Sequence, residues 1–330
     1  MRQRKPFPTA FLPLLFPCFW GDGGVVGKEL ASVSSIKGKT VKKSNALQAQ
    51  KEPQWTQVIT SKKKLLDLHL RDVYRYRDLI FMFIKRDFAV QYKQTILGPL
   101  WYLVQPVMSS IMYAFVFGNL ANIGTDGIPY LLFYYGGTML WTFFTSCLNG
   151  AASCFSTNSA IFSKVYFPRL TAPIATAAGQ VIKLGIQFVL LMCFYAYFVI
   201  TGEPVRPTWF ALLFPLLVIW LGALGTGMGL VVSSLTTKYR DLNLLLGFGI
   251  SLAMYATPIV YPLSEAPQKF AWLFYINPVS APVELFRMWF YGAGSVPLPM
   301  ILVSLGVTVL FVFFGLVLFC RNERTFVDVI

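Results

Sequence analysis

The sequence predicts an all-α membrane protein: six transmembrane helices, an N-terminal amphipathic interfacial helix, and outer re-entrant helices before the last span. Three observations carry this. Hydrophobic residues make up 56% of the 330 positions and charged ones only 13%, with a mean hydropathy of +0.60, which excludes an ordinary soluble domain. The apolar residues gather in stretches of about 20 or more, each long enough as helix to cross roughly 30 Å of hydrocarbon. Basic residues alternate between the short connecting loops as cytoplasmic and external sides require.

The formal charge of +14 belongs to the beginning of the chain. Up to Lys93 there are 18 Lys/Arg against seven Asp/Glu, while the remaining 237 residues hold ten and seven. That is where a cytoplasmic flank needs positive charge, so a membrane and no nucleic acid is the expected partner.

Residues 1–53 read as a disordered arm or a start assigned too far upstream. MRQRKPFPTAFLPLLFPCFW has the outline of a signal peptide, but Pro6, Pro8, Pro13 and Pro17 break any helix and no A-x-A site follows. GDGGVVGKE (21–29) falls short of a phosphate-binding loop. Asp22 stands where the first Gly belongs, and Glu29 replaces the Ser/Thr that would hold magnesium. Residues 54–97 are expected to be cytoplasmic. Within them 65–93 reads as an interfacial helix, with Leu65, Leu66, Leu68, Val73, Leu79, Ile80 and Phe83 apolar and Arg71, Arg75, Arg77, Lys85 and Arg86 basic.

The membrane domain is expected over 98–320. Its first span, 98–118, lacks any charge; Pro99 suits a first helical turn and Pro106 a kink. The loop 119–129, with Asp126 and no basic residue, reads as external. The second span covers about 130–156, the cytoplasmic loop 157–173 holds Lys164 and Arg169, and the third span runs about 174–200. The fourth, about 208–235, carries Gly225 and Gly229 as G-x-x-x-G, which lets helices approach closely. After the basic TTKYRD, the fifth span runs about 242–261. Residues 262–291 are broken by Pro267, Pro278 and Pro282 into apolar pieces too short to span, and read as re-entrant helices on the outer face. The sixth span, about 297–320, leads into a cytoplasmic tail, 321–330. Both termini face the cytoplasm.

Chemistry-bearing residues are sparse. His69 is the only histidine, which rules out a histidine-based metal site or triad, and the five cysteines include no C-x-x-C pair. No catalytic residue and no metal site is expected. Asp126, Glu203, Glu265 and Glu284 are scattered, without the paired carboxylates an embedded enzyme needs. Lys183 is the one clear charge inside a span, either a functional group or a side chain that snorkels or bonds a carbonyl. Aromatics, at 16%, would suit the apolar faces of sugar rings wherever they point inward. Tyr102, Tyr113 and Phe117 are expected to share a helix face, since 11 residues is close to three turns and four more is about another.

The blocks RDLIFMFIKRDFAVQYKQTILGPLWYLVQP, WTFF, SKVYFPRL, TKYRDL, TPIVYP and YINP occur in this order. They resemble permease subunits of ATP-binding-cassette exporters for lipid-linked polysaccharides of the O-antigen, capsule and teichoic-acid type. The resemblance covers about 54–328. It implies a homodimer in the cytoplasmic (inner) membrane joined to two copies of a separate ATPase subunit. ATP and Mg would be bound there and not by this chain. It further implies a gate helix holding Lys85, Arg86, Asp87, Tyr92 and Lys93. An ATPase-coupling segment would hold Lys164, Tyr166, Phe167 and Arg169 on an exposed loop. A glycan conduit would draw on Trp101, Tyr102, Tyr113, Phe117, Tyr255 and Tyr261. A drug exporter of the same fold, or a membrane glycan transferase or flippase enzyme, are the alternative readings.

Overall fold

The computed structural model describes residues 74–93, 98–162, 167–203, 205–236, 241–265, 269 and 271–325. The expected N-terminal arm with its glycine-rich run, residues 65–73 of the interfacial helix, the loop around Lys238 and the tail beyond 325 lie outside the described residues.

Among the described residues every regular element is helical. Helix α1 (Arg77–Tyr92) is followed by a tight turn at Gly98–Leu100. Gly98 adopts φ 50°, a left-handed conformation that side-chain-bearing residues avoid, and so redirects the chain. Helix α2 (Trp101–Tyr113) continues as a π-helical stretch, Ala114–Leu120. Next come α3 (Tyr130–Ala152), α4 (Cys154–Phe162) and α5 (Thr171–Ile200). A 3-10 turn at Trp209–Leu213 precedes α6 (Phe214–Thr236), followed by α7 (Leu242–Tyr255). The short α8 (Ala271–Ile276), α9 (Ser280–Tyr291) and the long α10 (Leu298–Thr325) complete the chain.

Among the described residues four stretches are long and apolar enough to cross a membrane: Trp101–Leu120, Thr171–Ile200, Trp209–Thr236 and Leu298–Arg321. Helix α3 is long enough too, at 23 residues, but glycines, hydroxyls and Asn149 make it less apolar. Packing accounts for this. Sixteen of its residues are buried, against α5, α6, α9 and α2, and a helix enclosed by protein need not match lipid.

Close approach is what α6 provides. A methyl at Gly225 would sit 2.7 Å from the Phe144 carbonyl oxygen, and one at Gly229 would meet the Leu148 carbonyl, so this face lies on α3 backbone. The opposite face does the same with α10, where a methyl at Gly227 would be 2.8 Å from the Val312 nitrogen and one at Gly315 2.6 Å from the Gly227 oxygen.

The expected fifth span, 242–261, is helical over only part of its length. Helix α7 stops at Tyr255 after 14 residues, about 21 Å, and 256–262 form an irregular strap in which Thr257 through Val260 are buried. Pro258 and Pro262 deny the helix its donors, and the Met254 carbonyl that Pro258 leaves takes the Thr257 N–H at 3.2 Å instead. The Asn277 amide donates to the Ala256 oxygen at 2.9 Å and to Thr257 Oγ1 at 2.8 Å. Irregular backbone of this kind is tolerated at membrane depth when protein surrounds it. The expected second span is also shorter, since α3 ends at Ala152 and α4 starts afresh at Cys154.

Candidate functional site

Proline at 106 removes the N–H that would bond the Tyr102 carbonyl, four residues back. The Gln187 side chain of α5 supplies the missing donor, its Nε2 lying 3.0 Å from the Tyr102 oxygen. Tyr135 of α3 donates its hydroxyl to the Gln187 carbonyl at 3.0 Å, and Ser110 of α2 meets Thr138 of α3 at 3.1 Å. These bonds set α2 against α3 and α5 with a cavity of about 600 Å³ between them.

The polar side chains of each wall follow a helix stripe at spacings of three and four. Helix α2 contributes Tyr102, Gln105, Ser109 and Tyr113; α3 contributes Thr138, Thr142, Thr145 and Asn149; α5 contributes Gln180, Lys183 and Gln187. The end of α1 adds Gln91. Amides and hydroxyls therefore alternate with aromatic rings around a single cation. The Lys183 ammonium donates to Gln91 Oε1 at 3.0 Å and lies 4.8 Å from the centroid of the Tyr102 ring, so the side chain is held by an amide and a π face. A larger cavity, about 800 Å³ between α5 and α6, is walled almost wholly by carbon and offers little to orient a polar ligand.

The residues expected to line a conduit are distributed unevenly. Tyr102 and Tyr113 reach the polar cavity, and Phe117 packs on Tyr113 with ring centroids 6.0 Å apart. Trp101 and Tyr255 are more than half exposed and outside it. Tyr261, on the strap, donates its hydroxyl to the Tyr255 carbonyl at 2.7 Å and packs edge-on against Phe274.

On α1, Arg86 stacks on Phe83 at 4.7 Å, bonds Asp87 Oδ1 at 2.9 and 2.8 Å, and reaches Asn158 of α4 at 3.0 Å. Lys85 and Lys93 are exposed, and the Tyr92 side chain lies outside the described residues. Phe167 differs from its expected place on an exposed loop. It is buried, with ring centroids 5.7 Å from Phe83 of α1 and 5.4 Å from Phe162 of α4, because three apolar rings gain more from each other than from water. Arg169 lies over Phe162 at 5.6 Å. Lys164 and Tyr166 lie outside the described residues.

Sequence reasoning missed a second constellation. In the sequence Glu284 is one of four scattered acids and Arg287 belongs to no motif, yet both are buried on α9. Arg287 donates to Glu284 Oε1 at 2.8 Å and to the Ile259 carbonyl at 3.1 Å, and its guanidinium lies 3.7 Å from the Phe133 ring centroid. One side chain thus ties α9 to α3 and to the strap. The signal was present as an acid and a base at i, i+3 within an otherwise apolar run.

Comparison with known proteins adds relatives to this geometry. The ABC-2 type transporter family matches residues 78–291. An O-antigen export system permease protein (RfbA) of Klebsiella pneumoniae is 26% identical over 254 residues, 77% of this chain and 95% of that one. Its namesake in Myxococcus xanthus is 25% identical over 228 residues, 67% and 84% of the two chains. The inner membrane transport permease YadH of Escherichia coli is 26% identical over 219 residues, 64% and 82%.

Proposed function

We propose, from the premise that this chain belongs to the ABC-2 type transporter family, that it is the membrane permease subunit of an exporter for lipid-linked polysaccharide. The names of the O-antigen export relatives support that cargo. The observation that carries the reading is the wall of the polar cavity. Amides and hydroxyls at helical spacing, with the Tyr102 and Tyr113 rings among them, offer a sugar many weak and replaceable contacts. A polymer longer than the bilayer has to move lengthwise, and tight binding at any one point would stall it.

In this reading the chain crosses the membrane six times, with both termini in the cytoplasm. The crossings are α2, α3, α5, α6, α7 with its strap, and α10, while α8 and α9 enter and leave on the outer side. Two copies pair, and α7, which buries none of its residues, and the exposed Met108, Met112 and Phe115 of α2 and its continuation give them apolar surface to share. Two copies of an ATPase chain bind ATP and magnesium below them. The segment 163–170 couples the two parts. Phe167 presses on Phe83 of α1, and the last turn of α1 carries Gln91, which holds Lys183 in the cavity wall. Movement of the segment therefore reaches the substrate path through one helix.

The test is reconstitution of the chain with its ATPase partner in vesicles carrying lipid-linked glycan. ATP-dependent transfer of glycan across the bilayer is expected. Transfer that proceeds without ATP, or surface polysaccharide that persists after deletion of this chain, refutes the proposal.

A further inference from the structure

Lys183 is the one charged side chain among the described residues that line the polar cavity. An ammonium has three donors. One goes to the neutral Gln91 amide at 3.0 Å, and the Tyr102 ring lies at 4.8 Å; neither partner carries a full negative charge. Asp87 lies one turn before Gln91 on α1 and acts on the ammonium only through space, while its Oδ1 is bonded twice by Arg86. The buried Glu284 is likewise matched by its own Arg287. The ammonium is half-buried at the wall of a polar cavity, and in a membrane protein a charge inside a span marks a substrate path.

Resting on the transport reading, we propose that Lys183 is an anion contact in that path, taking an anionic oxygen group, phosphoryl or carboxylate, of the passing substrate. The surrounding chemistry fits. Gln180 and Gln187 stand one turn to either side on α5, and both line the cavity, so neutral amide donors flank the charge where a sugar's hydroxyls would neighbour its acidic group. Lysine presents a point charge on a flexible stem and not the rigid two-pronged fork of arginine, which suits an anion that has to leave again. Gln91 fixes the ammonium beside the end of α1, so movement of that helix reaches the charge.

The test uses the purified full-length chain in lipid nanodiscs, titrated by equilibrium dialysis with an oligogalacturonate, inorganic pyrophosphate and a neutral maltooligosaccharide. At least one acidic probe is expected to bind about tenfold more tightly than the neutral one. Lys183→Gln should abolish that preference and Lys183→Arg should keep it. Preference for pyrophosphate alone places the anion at the lipid linkage, and preference for the oligogalacturonate alone places it along the glycan. No preference in the unaltered chain, one unchanged in Lys183→Gln, or one lost in Lys183→Arg overturns the inference. Should the preference stand while the complete transporter moves no glycan, the transport reading fails and the anion site remains.

Discussion

Replacing Glu284 by glutamine and, separately, Arg287 by methionine should give two defects that differ in their response to pH. The side chains of the pair are 1% and 2% exposed and meet at 2.8 Å, so either change leaves a buried charge without its partner, at a cost of about 3–5 kcal/mol. Arginine has no way out, since its guanidinium stays protonated at any pH a protein survives. Glutamate does: burial pushes its carboxyl up, and without Arg287 it can simply take a proton. The ionisation part of the Arg287→Met penalty is then capped at about 3.7 kcal/mol at pH 7, from 1.36 kcal/mol for each of the roughly 2.7 units between an ordinary glutamate pKa and neutrality. The sign follows from linkage. A carboxyl raised in the folded state binds more protons there than in the unfolded chain, so stability falls as pH rises and recovers as pH drops. Two pH units should restore up to about 2.7 kcal/mol to Arg287→Met and none to Glu284→Gln. Thermal unfolding of the purified variants in detergent, at pH 5 and pH 7, reads this directly. Equal pH dependence of the two variants would refute the argument, and a double replacement by Leu and Met as unstable as Glu284→Gln would show that packing and not charge dominates.

Gly229→Leu should force α6 off α3 and cost at least about 1–3 kcal/mol, seen as a lower unfolding temperature, whereas Gly185→Leu, with nothing within 4 Å, should be tolerated. Phe167→Ala removes the ring between α1 and α4 and should cost about 3–5 kcal/mol while uncoupling ATP hydrolysis from export; preserved coupling in vesicles would exclude it from the relay. Tyr102→Leu with Tyr113→Leu should lower export of long glycan at unchanged membrane level, and Trp101→Leu should leave it alone. Cysteines placed at Asp126 and at Lys238 should react from opposite sides of the membrane, and labelling of both from outside would overturn the six-crossing arrangement.

The long apolar helices were legible because a run of about 20 residues without charge has the length and solubility of a bilayer crossing and of little else. The end of α7 was not, because Tyr255 and Tyr261 lie in one apolar run and only the proline pair, read as a stop signal, marks where helix gives way to strap. The buried pair on α9 was hidden because charge in a sequence suggests surface, and only its i, i+3 spacing hints at mutual neutralisation. The cavity was partly readable. Pro106 was expected to kink a helix, but the carbonyl it leaves unbonded points to Gln187 only once α5 is in place. The polar stripe Thr138, Thr142, Thr145 and Asn149 has helical period and was overlooked beneath the aromatics of the same helix. Phe167 was misplaced because an aromatic next to Pro168 in a charged loop looks like an exposed contact until α1 closes over it.

The bare faces of α6 have a mechanical consequence. Backbone touches backbone on both sides of this helix, toward α3 through Gly225 and Gly229 and toward α10 through Gly227 and Gly315. Interlocked main chains have no side-chain rotamers through which to slide, so α3, α6 and α10 behave as a single stiff slab. Motion during a transport cycle then belongs to the pieces around the slab: α1 on its aromatic contact, α2 with its proline and π-helical end, and α7 on its proline strap. In engineering terms the glycines make a stator, and the helices bordering the polar cavity on its other side are the moving parts.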